Sequence, residues 1–473
     1  MSEKIDVKDI TPTDNSAVQQ YSMYVAPDKI YIRRIKGLFR NLRFFGVLFL
    51  FTLYFGTVWL EVGGQQAVWF DLGSRQFHIF SVTFWPQDFF LLSFALIICA
   101  FGLFFITVFA GRVWCGYTCP QSVWTWIFVF IEEKTEGKRN ARIKLDAQRW
   151  SAQKILRKAA KHTGWILVAV ATAVTFVGYF VPIRELVSEL LTFSTSGWVI
   201  FWVCFFTLAT YGNAGWMREQ VCIYMCPYAR FQAAMFDQDT LIVSYDAARG
   251  EPRGSRKKSA DPRAEGLGDC IDCDLCVQVC PVGIDIRDGL QYECISCAAC
   301  VDACDSVMEQ MNYPKGLVRY TTEHNLSGQK TRILRPRLLG YGLVLLAMFV
   351  LMAVFLTSRI PAQLDVIRDR GALHRVTPYG MVENSYTLRL MNMDQQARIF
   401  RLEVSGVDGL RLISPAEINV AAGESVNIPI RVETDPERLD RPSVDIFFYA
   451  IALDDSGIRV EKESRFFGPS SFR

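Results

Sequence analysis

The chain has 473 residues, a formal net charge of +3, 51% hydrophobic residues and 14 cysteines. Charge so near balance gives no overall basic footprint for nucleic acid, and the 35 Phe and 11 Trp suit a membrane protein better than a soluble one. No cysteine follows Cys304, which argues against a secreted disulfide scaffold with bridges spread through exposed domains and points to metal ligation in a reducing compartment.

Residues 1–43 are polar, mix acids with bases and do not resemble a cleavable signal peptide. Five apolar runs follow, at Phe44–Leu60, Phe89–Gly111, Thr163–Ile183, Leu190–Met217 and Leu338–Ser358. Crossing a bilayer takes about 17–25 such residues, so each is a predicted span. Arg33, Arg34, Lys36, Arg40 and Arg43 precede the first run, and eleven Lys/Arg lie between Arg112 and Lys161. The loops after the first and third runs carry only Arg75 and Arg184. This bias predicts that the N-terminus, the second-to-third connection and residues 218–337 are cytoplasmic. An odd number of spans then puts residues 359–473 in the periplasm.

Two short motifs sit at the ends of the second and fourth runs. "CGYTCP" spans Cys115–Pro120 and "CIYMCP" spans Cys222–Pro227, both of the form C-x-Y-x-C-P. If the helix continues through each motif, the two cysteines share one face, and the proline after them ends or kinks the helix. Cys115, Cys119, Cys222 and Cys226 would then present four thiols near one another. Such a set suits a soft ion such as Cu(I), or a thiol–disulfide relay; a buried structural role is the plainest alternative. That plain role fits Cys99 and Cys204, which stand alone inside predicted spans.

Residues 249–268, "RGEPRGSRKKSADPRAEG" with its flanks, read as a solvated basic linker that could also meet anionic lipid headgroups. The strongest signal comes next. "CIDCDLCVQVCP" (Cys270–Pro281) and "CISCAACVDACD" (Cys294–Asp305) are both C-x2-C-x2-C-x3-C, 24 residues apart. In bacterial two-cluster ferredoxins the fourth cysteine of each run ligates the other cluster. Cys270, Cys273, Cys276 and Cys304 are thus expected to hold one 4Fe–4S cluster, and Cys294, Cys297, Cys300 and Cys280 a second. Zinc also uses C-x2-C pairs, but two copies of the four-member pattern favour clusters. Asp305 stands where a proline follows in the first copy, and its charge would lower the potential of the nearby cluster.

Beyond the last run, "YTLRLMN", "RIFRLEV", "SVNIPIRVE" and "SVDIFFYAIAL" alternate partly with period two and are separated by Gly, Asp and Pro clusters. They predict a small antiparallel β-sandwich with no catalytic constellation, suited to spacing or partner binding. Only His78, His162, His324 and His374 exist, none deep in a predicted span, so a bis-histidine haem across the membrane is not expected. His162 and His324 could serve as accessory ligands. No G-x-G-x-x-G or Walker A pattern is present, so electrons are expected from another protein or from quinol.

The order of paired C-x-Y-x-C-P motifs, double ferredoxin motif, final span and cysteine-free β tail resembles the cytochrome c oxidase accessory proteins called CcoG, FixG or RdxA, from about Tyr24 to the C-terminus. The resemblance implies a multi-pass protein of the bacterial inner membrane. Its fold class would be a helical bundle of about five spans with a bacterial-type ferredoxin module and an immunoglobulin-like C-terminal β-sandwich. The implied division is 1–43, 44–248 (four spans), 249–268 (linker), 269–337 (ferredoxin module), 338–358 (fifth span) and 359–473. The implied activity is reduction of Cu(II) to Cu(I), supporting assembly of a cbb3-type cytochrome c oxidase. Copper would be substrate or transient ligand at Cys115, Cys119, Cys222 and Cys226. Implied partners are oxidase biogenesis factors, a copper-transporting ATPase, membrane lipid and an electron donor not identified by sequence; a homodimer is left open. Two other readings compete: an electron conduit to a protein acceptor, like the polyferredoxin components of nitrate and nitrous oxide respiration, and an assembly factor that docks through its β tail.

Overall fold

The computed structural model describes residues 29–80, 82–258, 266–369, 371, 373–394, 396–415, 417–454 and 457–469. Most of the polar N-terminal segment and residues 259–265 of the basic linker therefore lie outside the described residues. Among the described residues, five helices are long and apolar enough to cross a membrane: Leu38–Thr57, Phe89–Ala110, Ala152–Val177, Gly197–Met217 and Pro336–Thr357. Their apolar faces are largely uncovered by protein, as lipid-facing helices require.

Boundaries differ from the hydropathy reading for local reasons. The third span starts at Ala152, eleven residues before the apolar run, because Ser151 accepts from the Lys154 N–H and caps a polar first turn. Residues 183–192, read as the end of one span, a short loop and the start of the next, form a separate amphipathic helix, Ile183–Thr192, which Phe193 ends in the left-handed conformation. The fourth span is α-helical over Gly197–Thr210 and continues as a π-helical segment, Tyr211–Met217.

The chain between spans two and three is largely helical. Pro120–Glu136 and Arg139–Ala147 are helices, and their carboxylates sit in a buried charge network. Glu132 contacts Arg218 at 2.8 Å, Lys29 at 3.2 Å and Arg142 at 3.3 Å. Glu136 contacts Lys161 at 2.9 Å and Lys158 at 3.0 Å. These contacts bind the N-terminal segment, three helices and the loop after the fourth span into one scaffold. Burial works to raise the Glu132 carboxyl, but Arg218, Lys29 and Arg142 outweigh it and hold the group down at about 2.

The ferredoxin module starts before the predicted residue 269. Its two-stranded antiparallel sheet pairs Ile242–Tyr245 with Val318–Thr321, and both strands pack on the cysteine-bearing core with Val301, Met308 and Leu317. The described part of the linker is largely exposed, as expected, but arginine side chains tie it to the module. Arg249 pairs with Asp269 at 2.6 Å, and Arg256 Nε donates to the Tyr313 hydroxyl at 3.1 Å. Asp302, on the module's helix Ala299–Met311, accepts from the N–H groups of Phe39 and Arg40 at 3.2 and 2.7 Å. A carboxylate of the module thus caps the first span, where orphan N–H groups and the positive helix end favour an anion.

At the opposite end of the spans, Val68–Asp71, Gln76–Ile79 and Val82–Phe84 form a three-stranded sheet not foreseen from sequence. It meets the C-terminal domain: Trp85 packs on Met391 and Met393, and Arg359 pairs with Asp88 at 2.6 Å. That domain is an immunoglobulin-like sandwich of two antiparallel sheets. One orders Arg411–Ile413, Ser425–Thr434, Val382–Asn392 and Ala362–Arg368, with Arg375–Val376 at the edge; the other orders Ile418–Val420, Arg398–Ser405, Ser443–Ala452 and Arg459–Phe467. Inward residues alternate along the strands and meet in a core of Tyr386, Leu388, Leu390, Phe400, Phe448 and Phe466.

Candidate iron–sulfur and thiol site

The two ferredoxin runs repeat their backbone as well as their sequence. The residues flanking the second cysteine, Asp272 and Asp274 in one copy and Ser296 and Ala298 in the other, all have φ between 50° and 56°. Left-handed backbone is uncommon outside glycine and is held here in duplicate. Such turns aim successive N–H groups into a concavity suited to anions, including the sulfide and thiolate of iron–sulfur sites.

Each loop faces a cavity. Cys270, Cys273, Cys276 and Cys304 line one, and Cys280, Cys294, Cys297 and Cys300 line the other, which Cys276 also touches. Cys304 reaches the first cavity because it lies on the helix that begins in the second loop, one turn beyond Cys300. Among the described residues, no three Cys, His, Asp or Glu side chains converge on one ion position. A tetrahedral zinc needs every sulfur about 2.3 Å from one centre, whereas a cubane spreads four thiolates over four irons. The donor set and its spread therefore fit iron–sulfur clusters.

The opening motifs do not stay helical through both cysteines. Cys115 lies on the short helix Val113–Tyr117, but Cys119 has left helical geometry and stands before Pro120, the first residue of the next helix. Cys222 lies in the π-helical turn Val221–Met225, and Cys226 is extended before Pro227, which again starts a helix. The prolines open helices rather than end them, since a missing N–H costs nothing in a first turn. The paired cysteines consequently do not share one helical face.

The four thiols are nonetheless neighbours. Cys222 lies within electrostatic reach of Cys119, Cys115 and Cys226, and Cys115 within reach of Cys119 and Cys226. Burial, reinforced by those neighbours, pushes the Cys222 thiol up to about 12. Burial pushes Cys115 up to about 11, against the opposing pull of Arg112. The thiols are close without forming a closed cage, so a bound ion would have to draw them together.

Contact with the ferredoxin module is direct. Cys115 shares an apolar cluster with Ile295, Cys297 and the partly buried Cys280. A β-carbon on Gly116 would lie 2.7 Å from the Ile295 carbonyl oxygen. The Tyr117 hydroxyl lies 3.5 Å from the Cys297 carbonyl and 3.4 Å from the Tyr320 hydroxyl. One further cavity is lined by both Cys222 and Cys297, joining the thiols to the second cluster loop.

Sequence reasoning missed Arg112 and Gln232. Arg112 is buried, donates from Nε to Gln232 Oε1 at 2.8 Å and also donates to the Tyr292 carbonyl; Cys115 Sγ lies 3.6 Å from the same Gln232 oxygen. In sequence, Arg112 is one more cation at a span end, and nothing marks Gln232. The histidines stay apart from the thiols: His162 bonds the Tyr211 hydroxyl at 2.8 Å and His324 pairs with Asp239 at 2.7 Å. Cys99 and Cys204 are exposed on the second and fourth spans.

Known proteins align with this arrangement. A family model described as a 4Fe-4S dicluster domain matches residues 217–323, and one for the IG-like fold at the C-terminus of FixG matches 352–469. The chain is 37% identical over 460 residues to the nitrogen fixation protein FixG of Rhizobium meliloti, covering 89% of this chain and 87% of that one. It is 37% identical over 454 residues to protein RdxA of Cereibacter sphaeroides, covering 92% and 95%. The crystal structure of a FixG-related protein from Vibrio parahaemolyticus is 34% identical, covering 23% of this chain and 95% of that one, with a TM-score of 0.21. Sharing over a third of its aligned residues with such relatives across most of both chains, the chain belongs to the FixG/RdxA family of membrane iron–sulfur proteins, whose business is electron transfer.

Proposed function

We propose that the protein is a cupric reductase of the bacterial inner membrane, supplying Cu(I) for assembly of a cbb3-type cytochrome c oxidase. The observation that carries this reading is the packing of Cys115 and Gly116 against Cys297, which sets a thiol site beside a cluster loop. When bound, two 4Fe–4S clusters held by Cys270, Cys273, Cys276, Cys304 and by Cys294, Cys297, Cys300, Cys280 supply single electrons. Cu(II) meets Cys115, Cys119, Cys222 and Cys226, takes one electron and becomes Cu(I). Soft sulfur ligands favour the reduced ion and so add driving force. Burial raises the proton affinity of Cys115, Cys119 and Cys222 and keeps these thiols neutral when empty, and each thiol that binds copper releases its proton. Arg112 lies beside Cys115 and stabilises the thiolate; Gln232 orients the pair. A copper-transporting ATPase would accept the product on the cytoplasmic side, with the C-terminal domain in the periplasm.

The spread of the four thiols favours a second reading, in which they relay electrons to a protein acceptor without holding copper. Anaerobic Cu(II) reduction by the purified, cluster-loaded protein separates the two. The wild type should form Cu(I), and a Cys115/Cys119/Cys222/Cys226→Ser variant should keep its clusters and form none. A wild type that never reduces copper would put the relay in front.

A further inference from the structure

The electron donor is the missing partner, and a second cavity speaks to its chemistry. It measures about 660 Å³, within the range of small-molecule sites, and lies where the third and fourth spans meet Lys29 and Ile30 of the N-terminal segment. Its walls include His162, Trp165, Tyr211, Trp216 and Glu219. The fourth span turns π-helical at Tyr211–Met217, and such bulges often mark functional sites.

The cavity is not built for an anion. Three cations line it, but each is already matched: Lys29 by Glu132 and Asp146, Lys161 by Glu136, and Arg218 by Glu132. What is left over is aromatic surface, the His162 and Tyr211 hydrogen-bonding groups and the Glu219 carboxyl. His162 Nδ1 bonds the Tyr211 hydroxyl at 2.8 Å, and its other ring nitrogen has no hydrogen-bond partner among the described residues. Trp165 is buried against the His162 and Tyr211 rings, and Trp216 is exposed at the rim.

The cavity also leads towards the redox groups. Arg218 and Glu219 line both it and the adjoining cavity that touches Cys222 and Cys297. Burial raises the Glu219 carboxyl above its ordinary value, which suits a group that takes up and passes on a proton.

We propose that this cavity binds the headgroup of a quinol, a lipid-soluble aromatic diol, as the electron donor. His162 and Tyr211 hold one ring hydroxyl, and the tryptophans face the ring. Oxidation removes two electrons and both hydroxyl protons and leaves the quinone. The electrons enter the iron–sulfur module one at a time; one proton goes to the free His162 nitrogen and the other to Glu219, and both leave to water. This assignment rests on the cupric-reductase reading only for where the electrons finally go.

The test uses the full-length, cluster-loaded protein in nanodiscs with a decyl-substituted benzoquinone and its quinol. Titrating the quinone should quench tryptophan emission saturably in the wild type, and this binding signal needs no redox turnover. Adding the quinol anaerobically should bleach the cluster absorbance. His162→Gln and, separately, Tyr211→Phe should weaken the quenching and slow quinol-driven bleaching at least tenfold. Dithionite-reduced samples of both variants should reduce Cu(II) at the wild-type rate, which separates failure of the donor site from failure of the copper reading. Quenching that never saturates, or that phospholipid without quinone reproduces, would overturn the proposal. So would wild-type quinol kinetics in both variants.

Discussion

The backbones of Gly116 and Cys297 touch: a β-carbon on Gly116 would lie 2.9 Å from the Cys297 Cα and 3.1 Å from its nitrogen. Only glycine lets the first thiol motif lie this close to the second cluster loop. Gly116→Ala should therefore force the two apart, costing about 1–3 kcal/mol as overpacking does. Cu(I) formation by prereduced protein should slow by roughly 10- to 100-fold, as small misplacements at reacting centres do. Stopped-flow mixing with Cu(II) measures it, and an unchanged rate would mean the contact is only packing.

Asp302 joins the module to the first span through the N–H groups of Phe39 and Arg40. Asp302→Ala removes a helix cap and should cost about 0.5–2 kcal/mol. Asp302→Asn should recover most of that, because Asn caps about as well. Thermal unfolding in detergent, followed by loss of cluster absorbance, should rank wild type and Asn together above Ala.

Glu132 is buried among Lys29, Arg142 and Arg218. Glu132→Gln leaves those cations without their carboxylate and should destabilise by about 3–5 kcal/mol. The folded-state value near 2 lies below that of an unfolded glutamate, about 4.3. The stabilisation is then complete above about pH 4.3 and is lost as pH falls towards 2. Unfolding midpoints of wild type and Glu132→Gln should accordingly differ most near neutrality and converge in acid. A gap that stays constant down to pH 3 would contradict the assignment.

Phe448 is fully buried in the sandwich, 5.1 Å from the Tyr386 ring between centroids. Phe448→Ala should cost about 3–5 kcal/mol within that domain. Copper reduction by the purified protein should not change, because the domain meets the spans at the end away from the thiols. Lost turnover would instead support action through the β tail.

The spans were legible because twenty apolar residues have few other uses, and the ferredoxin loops because eight cysteines at fixed spacing do. Four strands of the sandwich showed their alternation. Arg459–Phe467 did not: "RVEKESRFF" carries a charged outer face on an edge strand, which blurs the period. The local geometry of the thiol motifs is not legible, since Pro120 and Pro227 can end one helix or open another, and sequence alone does not say which. Gly116 looked like spacing; its role depends on Ile295 and Cys297, about 180 residues further on.

The most direct measurement of the central claim is a single turnover. Protein prereduced with dithionite and desalted is mixed anaerobically with Cu(II), and cluster reoxidation is recorded together with Cu(I) formation. One Cu(I) should appear for each electron the clusters lose, at the same rate, in the wild type. The Cys115/Cys119/Cys222/Cys226→Ser variant should hold its clusters reduced and make no Cu(I). Equal reoxidation in both proteins would contradict the claim, because copper would then be taking electrons without the thiols.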